Sequence, residues 1–144
     1  MARCPVRLAS RLKKGRFVVD VHSKRPERAR ASLHPNPEYF EGEVRIQSLV
    51  ASEQSEELEL IAVFFEGGAR TIPHVHSTDQ VLWIVEGRCV VADESGKREV
   101  ETGECVLLPG KRWHWHGAAK GQRACHVSIR KPGATNWSVP RRDW

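Results

Sequence analysis

The sequence predicts an all-β protein built as one antiparallel sandwich or barrel. Short β-rich segments follow one another between residues 43 and 129, and turn residues separate them at intervals of about 8–12 residues. No window of this region carries apolar residues at the helical period. The region also lacks a linker and a repeat of domain size. We therefore expect one barrel domain at residues 38–133, preceded by an extension at 1–33 and followed by a C-terminal tail at 134–144.

The predicted strands start after Pro35 and Pro37, because proline opposes helix formation at its own position and at the preceding one. Gln80–Val85 is an unbroken apolar run, which predicts a strand buried on both faces. Asp93–Gly96 predicts a tight hairpin between two neighbouring strands. In chain order, the predicted strands are Glu43–Ala51, Glu57–Glu66, Gln80–Val85, Arg88–Ala92, Lys97–Val100, Cys105–Leu108 and Ala124–Ile129.

The positive charge of the chain is concentrated at its N-terminus. Residues 1–33 hold ten Lys or Arg side chains against Asp20 and Glu27, so this segment carries about +8 and the rest of the chain about −3. Its composition favours a solvated, poorly ordered extension over a nucleic-acid-binding surface, since aromatic base-stacking residues are nearly lacking. Two alternatives stay open, namely a mitochondrial transit peptide at residues 1–16 and weak binding to nucleic acid or acidic lipid.

Cysteine usage and hydropathy indicate a soluble intracellular protein, and the favoured interpretation of the N-terminal segment adds no nucleic-acid or membrane partner. The four cysteines form no C-x-x-C pair and no zinc-ribbon spacing, so we expect free thiols in a reducing cytoplasm, three of them in the core. No stretch approaches the roughly 20 apolar residues of a membrane span. The cytoplasm is the predicted location.

Three histidines and a glutamine are spaced as the ligands of a metal ion. His74 and His76 are two residues apart, so on a strand both imidazoles lie on one face. Gln80 begins the next apolar strand, and His114 arrives from a distant part of the chain. Neutral imidazoles bind Zn, Fe, Mn, Ni, Co and Cu. The pattern predicts one divalent transition-metal ion held by His74, His76, Gln80 and His114.

The spacing of these residues resembles the two motifs of the cupin superfamily. The first motif, G-x5-H-x-H-x3-E-x6-G, aligns with Gly68 through Gly87, with Gln80 in place of Glu. The second, G-x5-P-x-G-x2-H-x3-N, aligns with Gly103 through Ala118, with Lys111 in place of Gly and Ala118 in place of Asn. The resemblance covers residues 40–133 and implies a jelly-roll β-barrel.

Within that superfamily, the residues around the histidines look like small bacterial cupins related to carboxymuconolactone decarboxylase-fused barrels. That group includes manganese-dependent hydroxynitrile lyases with three His and one Gln around the metal. The resemblance implies manganese as the favoured ion, with Fe, Zn, Ni or Co as alternatives, and a homodimer as the assembly. Residue by residue, it also implies catalytic or supporting roles for His116 and His126.

Gln80 has a consequence for the chemistry of the site. A neutral amide in place of a carboxylate leaves a bound M²⁺ with more local positive charge, which disfavours M³⁺ and strengthens Lewis acidity. This favours a lyase or isomerase acting on a small oxygenated substrate, with His116 or His126 moving the proton. Apolar walls at Leu82, Ile84 and Val106 would exclude water. A metal-dependent dioxygenase and a non-catalytic ligand-binding or metal-sensing cupin remain open alternatives.

The tryptophans are predicted to pack or to lie at a dimer interface, rather than to stack on substrate. This applies to Trp83, Trp113 and Trp115. We expect Trp137 and Trp144, near the C-terminus, to dock on the barrel or on a partner subunit.

Overall fold

A curled antiparallel sheet forms the protein, as the strand pattern predicts. The computed structural model describes residues 24–142. Its strands are β1 (Ser32–Leu33), β2 (Phe40–Glu41), β3 (Val44–Val50), β4 (Glu59–Phe65), β5 (Arg70–Thr71), β6 (Val75–His76), β7 (Gln80–Asp93), β8 (Gly96–Glu101), β9 (Cys105–Leu108), β10 (His114–Ala118), β11 (Ala124–Arg130) and β12 (Thr135–Asn136). The helical segments in the described part of the chain are the 3₁₀ turns Arg28–Arg30 and Pro37–Tyr39, and none of its helices could cross a membrane.

Strand β7 joins the two halves of the barrel. Its first part pairs with β11 and β9, and its second part pairs with β10 and β8. The path β1-β3-β4-β11-β7-β10-β5-β2 therefore runs continuously from one half to the other, and β6 pairs separately with β12. The two halves face each other across an apolar core that includes Phe65, Leu82, Ile84, Cys89 and Val91.

The separation of β7 into two predicted strands was wrong. The chain bends at this point without ending the strand, because a register shift opposite Cys125 and His126 inserts a bulge and Gly87 adopts φ 71°. A side chain at Gly87 would place its Cβ 2.1 Å from the carbonyl oxygen of Arg123. The prediction of burial on both faces was also wrong, since Trp83 points outward and is 48 % exposed.

The side chains of strand β11 alternate between the barrel interior and an outer apolar cluster, as the alternation of polar and apolar residues in its sequence predicts. His126 and Ser128 face the barrel interior, while Cys125 and Val127 pack outside against Phe64 and Leu49. Cys89 and Cys125 are buried, and burial raises the pKa of each thiol to about 12. Cys105 is exposed, because it begins β9 on its outward face, and Cys4 lies outside the described residues.

Residues 24–33 pack on the outer face of the sheet, in contrast to the extension predicted for 1–33. Ser32 and Leu33 pair with β3, and Ala31 is buried in the outer apolar cluster. Arg28 forms ion pairs with Glu66 and Glu86 and lies over the ring of Phe64. Apolar and charged contacts therefore attach residues 24–33 to the barrel. The rest of the predicted extension, residues 1–23, lies outside the described residues.

The alternation Trp-His-Trp-His at residues 113–116, which leads into β10, places the tryptophan and histidine rings on opposite faces of the sheet. Trp113 and Trp115 pack outside the barrel with Ala92, and the Trp113 Nε1–H donates to the carbonyl of Pro140 at 2.8 Å. His114 and His116 are buried on the inner face. The prediction of packing roles for these two tryptophans is confirmed, and β10 presents its histidines to the interior.

Candidate metal centre

Three predicted ligands converge at one end of the barrel interior. His74, His76 and His114 each offer one ring nitrogen, and these nitrogens all lie within 4.8 Å of one another. We call these residues the ligand trio. Backbone hydrogen bonds bring two of them together, since the His74 N–H donates to the His114 carbonyl at 2.9 Å and the His114 N–H returns the bond at 3.1 Å. His76 lies on β6, where β12 pairs with it.

One nitrogen of each ring in the ligand trio is held by a neighbouring oxygen. His74 Nδ1 lies 2.9 Å from the Ile72 carbonyl oxygen, and His114 Nδ1 lies 3.0 Å from the Arg112 carbonyl oxygen. Because a carbonyl only accepts, both Nδ1 atoms carry the proton and both Nε2 atoms present lone pairs. His76 Nδ1 lies 2.9 Å from the hydroxyl oxygen of Thr135. Partners of this kind orient histidine ligands in metal sites.

Gln80 has one satisfied and one unsatisfied polar atom. Its Nε2 donates to the Ser128 hydroxyl at 2.7 Å, which fixes the orientation of the amide. Its Oε1 is buried without a hydrogen-bond partner, as are His76 Nε2 and His114 Nε2. A buried acceptor without a partner costs about 1–3 kcal/mol, and a cation would satisfy all three atoms at once. The donor set therefore fits a divalent transition metal.

Burial keeps the ligand trio neutral. It is the main cause that lowers the pKa of His114, holds that of His74 well below its ordinary range and lowers that of His76 to about 3. The Arg130 guanidinium adds to the effect at His76, since it disfavours a second positive charge nearby. Neutral imidazole is the form that binds metal, so the site is ready for a cation at neutral pH.

Two further histidines lie deeper in the barrel and contact each other. We call His116 and His126 the inner pair. His126 Nε2 lies 3.0 Å from His116 Nδ1, while His116 Nε2 and His126 Nδ1 are buried without partners. Burial holds the pKa of His116 well below its ordinary value and lowers that of His126 to about 3. The ring of His116 lies 5.3 Å from that of His74, centroid to centroid, so the two groups are neighbours.

A small cavity of 110 Å³ connects the two groups of histidines. The predicted apolar walls at Leu82, Ile84 and Val106 belong to the packed core instead. The cavity is lined by Phe40, Ile46, Ile61 and Val63 together with His34, Thr71, His74, His76, Gln80, His116, His126, Ser128, Arg130, Thr135 and Trp137. A larger groove of 620 Å³ runs along β8 and β9, where His114 is its one ligand-trio residue. The smaller cavity is therefore the candidate site.

Sequence reasoning missed several residues of this cavity, three of them beside His74 and His76. Arg130 continues the inward series of His126 and Ser128 at a period of two, so the alternation of β11 could have revealed it. Thr135 and Trp137 come from the C-terminal segment, which carries no periodic signal. Trp137 was expected to dock on the barrel, and it does, with its ring 4.3 Å from that of His74.

Comparison with known proteins gives the family. Residues 61–129 match the family model described as a cupin domain. The chain is 34 % identical over 96 residues to an (R)-mandelonitrile lyase from Granulicella tundricola, an alignment that covers 65 % of this chain and 72 % of the relative. The chain is a cupin. Its two spaced motifs and its jelly-roll barrel agree with this membership, and the predicted family is confirmed.

Solved structures agree with the cupin fold. A cupin-like protein from Thermotoga maritima has a TM-score of 0.70 and 30 % identity, covering 75 % of this chain and 84 % of that one. A predicted oxalate decarboxylase from the same organism has a TM-score of 0.61 at 15 % identity, covering 69 % and 89 %. The second likeness shows the fold alone. The roles assigned to the histidines and Gln80 therefore rest on the geometry of this cavity.

Proposed function

We propose that this cupin is a metal-dependent lyase acting on a small substrate that carries a hydroxyl or carbonyl oxygen. Its metal would be one divalent ion, manganese in the first instance, held by His74, His76, Gln80 and His114. The convergence of unsatisfied ligand atoms beside a linked pair of neutral histidines carries the proposal. The relationship to a mandelonitrile lyase supports the reaction class, because that enzyme's substrate has a hydroxyl group next to the bond that breaks.

The metal would supply Lewis acidity toward the substrate oxygen. The inner pair supplies the proton transfer. With the shared proton on His116 Nδ1, the His116 Nε2 atom holds a lone pair and can accept a proton from substrate. His116 then passes its Nδ1 proton along the 3.0 Å contact to His126 Nε2. Because burial lowers the pKa of both rings, the pair does not keep the extra proton and returns it to the leaving group.

The cavity walls restrict the substrate and exclude water. Phe40, Ile46, Ile61 and Val63 line the cavity with apolar surface, and the Trp137 ring lies 4.3 Å from that of His74. Displacement of water from so small a cavity by substrate would strengthen electrostatic interactions with the reacting oxygen. The size of 110 Å³ favours a compact organic molecule over a polymer.

Gln80→Glu separates a lyase from the dioxygenase alternative. The protein is loaded with Mn²⁺ to equal occupancy, and mandelonitrile cleavage and oxygen uptake are measured with an anaerobic control. We expect wild-type cleavage without oxygen uptake, and slower cleavage but tighter metal binding for Gln80→Glu, because a carboxylate reduces Lewis acidity. Oxygen-dependent turnover that rises in the variant would support a dioxygenase. Metal binding without turnover of any small hydroxynitrile or hydroxy acid would support a binding protein.

We also propose that the chain forms a homodimer through the outer face of β7 and β9. Trp83 and Leu107 lie diagonally across these paired strands and are 48 % and 63 % exposed. Residues 24–31 cover the apolar outer face of β3 and β4, on the far side of β11, whereas Trp83 and Leu107 stay exposed in the described chain. Trp83→Glu should convert the dimer to a monomer in sedimentation velocity. A wild-type monomer at high concentration would refute the proposal.

A further inference from the structure

Three polar groups from different elements meet at one side of the His76 ring, and His76 Nδ1 is one of them. Arg130 Nη1 lies 3.2 Å from His76 Nδ1 and 3.3 Å from Thr135 Oγ1, and His76 Nδ1 lies 2.9 Å from Thr135 Oγ1. Arg130 comes from the end of β11, and Thr135 comes from β12, directly opposite His76 in the sheet register. The three groups compete for a small number of protons.

The tautomer of His76 depends on whether the Arg130 N–H donates to His76 Nδ1 or to Thr135 Oγ1. An arginine N–H always donates, so an Arg130 bond to His76 Nδ1 requires a lone pair on Nδ1. A neutral ring would then carry its proton on Nε2, the nitrogen that faces the other ligands. That nitrogen is buried without a hydrogen-bond partner, and a proton on it would block metal binding.

Thr135 offers the alternative arrangement. Its hydroxyl oxygen has two lone pairs, and it lies within hydrogen-bond distance of both His76 Nδ1 and Arg130 Nη1. If it accepts from both, the His76 proton stays on Nδ1 and the Nε2 lone pair is free. The same tautomer is imposed on His74 and His114 by backbone carbonyls, which cannot donate.

We propose that Thr135 is a positioning residue that sets the His76 tautomer by accepting the Arg130 N–H in place of His76 Nδ1. This inference rests on the proposed metal site and assigns a role to the C-terminal segment. Glu59 assists by holding the other end of the guanidinium, since its Oε1 lies 2.9 Å from Arg130 Nη2 in a mostly buried ion pair. Arg130 therefore stays beside the site as a fixed, paired cation.

The test measures Mn²⁺ affinity by titration calorimetry and the protonation of the ring nitrogens in metal-free protein by ¹H–¹⁵N correlation spectra. Thr135→Val keeps the side-chain shape but removes the acceptor, so we expect about a 10- to 100-fold weaker Kd and a proton on His76 Nε2. Thr135→Ser, the matched control, should keep both wild-type properties. Unfolding curves confirm that each variant is folded.

A rescue variant separates donor competition from a general loss of structure. Thr135→Val combined with Glu59→Gln and Arg130→Met removes both charges of the ion pair, so neither is left buried alone. Without the competing guanidinium, we expect Mn²⁺ affinity to recover most of its loss. A wild-type Kd for Thr135→Val, a proton on Nε2 of wild-type His76, or the lack of recovery would each overturn the proposal. Failure here leaves the ligand assignment intact, because that assignment is tested by removing a ligand.

Discussion

The ligand trio and the inner pair are both buried histidine clusters, but their ring nitrogens have different partners. His74 and His114 donate to backbone carbonyls, so the proton of each ring has one possible place. His116 and His126 contact each other, and each can be donor or acceptor across the 3.0 Å contact. Fixed oxygen partners therefore leave the Nε2 lone pairs of His74 and His114 available to a metal ion. The contact between His116 and His126 instead leaves a proton that can move from one ring to the other.

In the proposed function, this difference divides the cavity into a metal-binding part and a proton-transfer part. Both parts share neutral imidazoles, because burial is the largest cause of the lowered pKa in all five rings. Burial alone therefore does not distinguish a ligand from a base. A ligand and a base differ in the partner of the second ring nitrogen, and variants that replace a single histidine can test this division.

The largest effect is expected from removing a ligand. His114→Ala deletes one of the four proposed donors, so the protein loaded with Mn²⁺ should lose most of that metal in elemental analysis and all metal-dependent turnover. The barrel should remain folded, since its apolar core lies between Phe65, Leu82 and Ile84 and does not depend on the ion. One metal per chain at wild-type affinity would show that His114 is not a ligand.

A smaller effect is expected from the inner pair, and only on turnover. His126→Phe replaces a buried ring with an apolar ring beside Phe65, whose centroid lies 5.3 Å away. It removes the partner that receives the His116 proton, so kcat for mandelonitrile cleavage should fall by about 10²- to 10⁴-fold. Mn²⁺ affinity should stay at the wild-type value. Loss of metal from this variant would show that the inner pair also supports metal binding, which would contradict the division between the ligand trio and the inner pair.

The histidine motif was visible in the sequence because strand periodicity and motif spacing are local. His74 and His76 share a face by period two, and the alternation of β11 places His126 inside. The partners that set tautomers could not be predicted in this way. Thr135 reaches His76 through a two-residue strand pairing across 59 positions, which no local pattern encodes.

The errors in the fold prediction also have local physical reasons. The Gly87 bend resembles a strand end in sequence, although the register shift beside it lets β7 continue. Residues 24–33 look like a solvated basic segment, because their one buried apolar side chain is the small Ala31 and their attachment depends on Arg28. Ion pairs between distant residues leave no periodic trace in a single sequence.

A moderate effect is expected on acid stability of the metal-free protein. An unfolded histidine titrates near 6.5, whereas burial lowers the pKa of folded His126 to about 3. Between these values the unfolded chain binds a proton that the folded chain does not, so stability falls as pH falls. Each such histidine contributes a slope of about 1.4 kcal/mol per pH unit. We expect the free energy of unfolding, measured in urea from about pH 6 to about pH 4, to depend less steeply on pH in His126→Phe by one such contribution. An unchanged slope would mean that His126 is already protonated when folded.

The smallest effect concerns Lys111, which supports the ligand trio through its backbone. The Lys111 N–H donates to the His76 carbonyl oxygen at 2.7 Å, and the residue adopts φ 62° where the cupin motif has Gly. A side chain costs about 1–2 kcal/mol in this left-handed region, and the extra unfolded-state entropy of Gly offsets part of that cost. Lys111→Gly should therefore raise the free energy of unfolding by about 0.5–1 kcal/mol, with unchanged Mn²⁺ affinity. Lys111→Ala is the matched control, because it removes the charge but keeps the Cβ, so it should bring little gain. Equal stabilisation by both variants would show that the charge of Lys111, and not its backbone conformation, is the source of the cost.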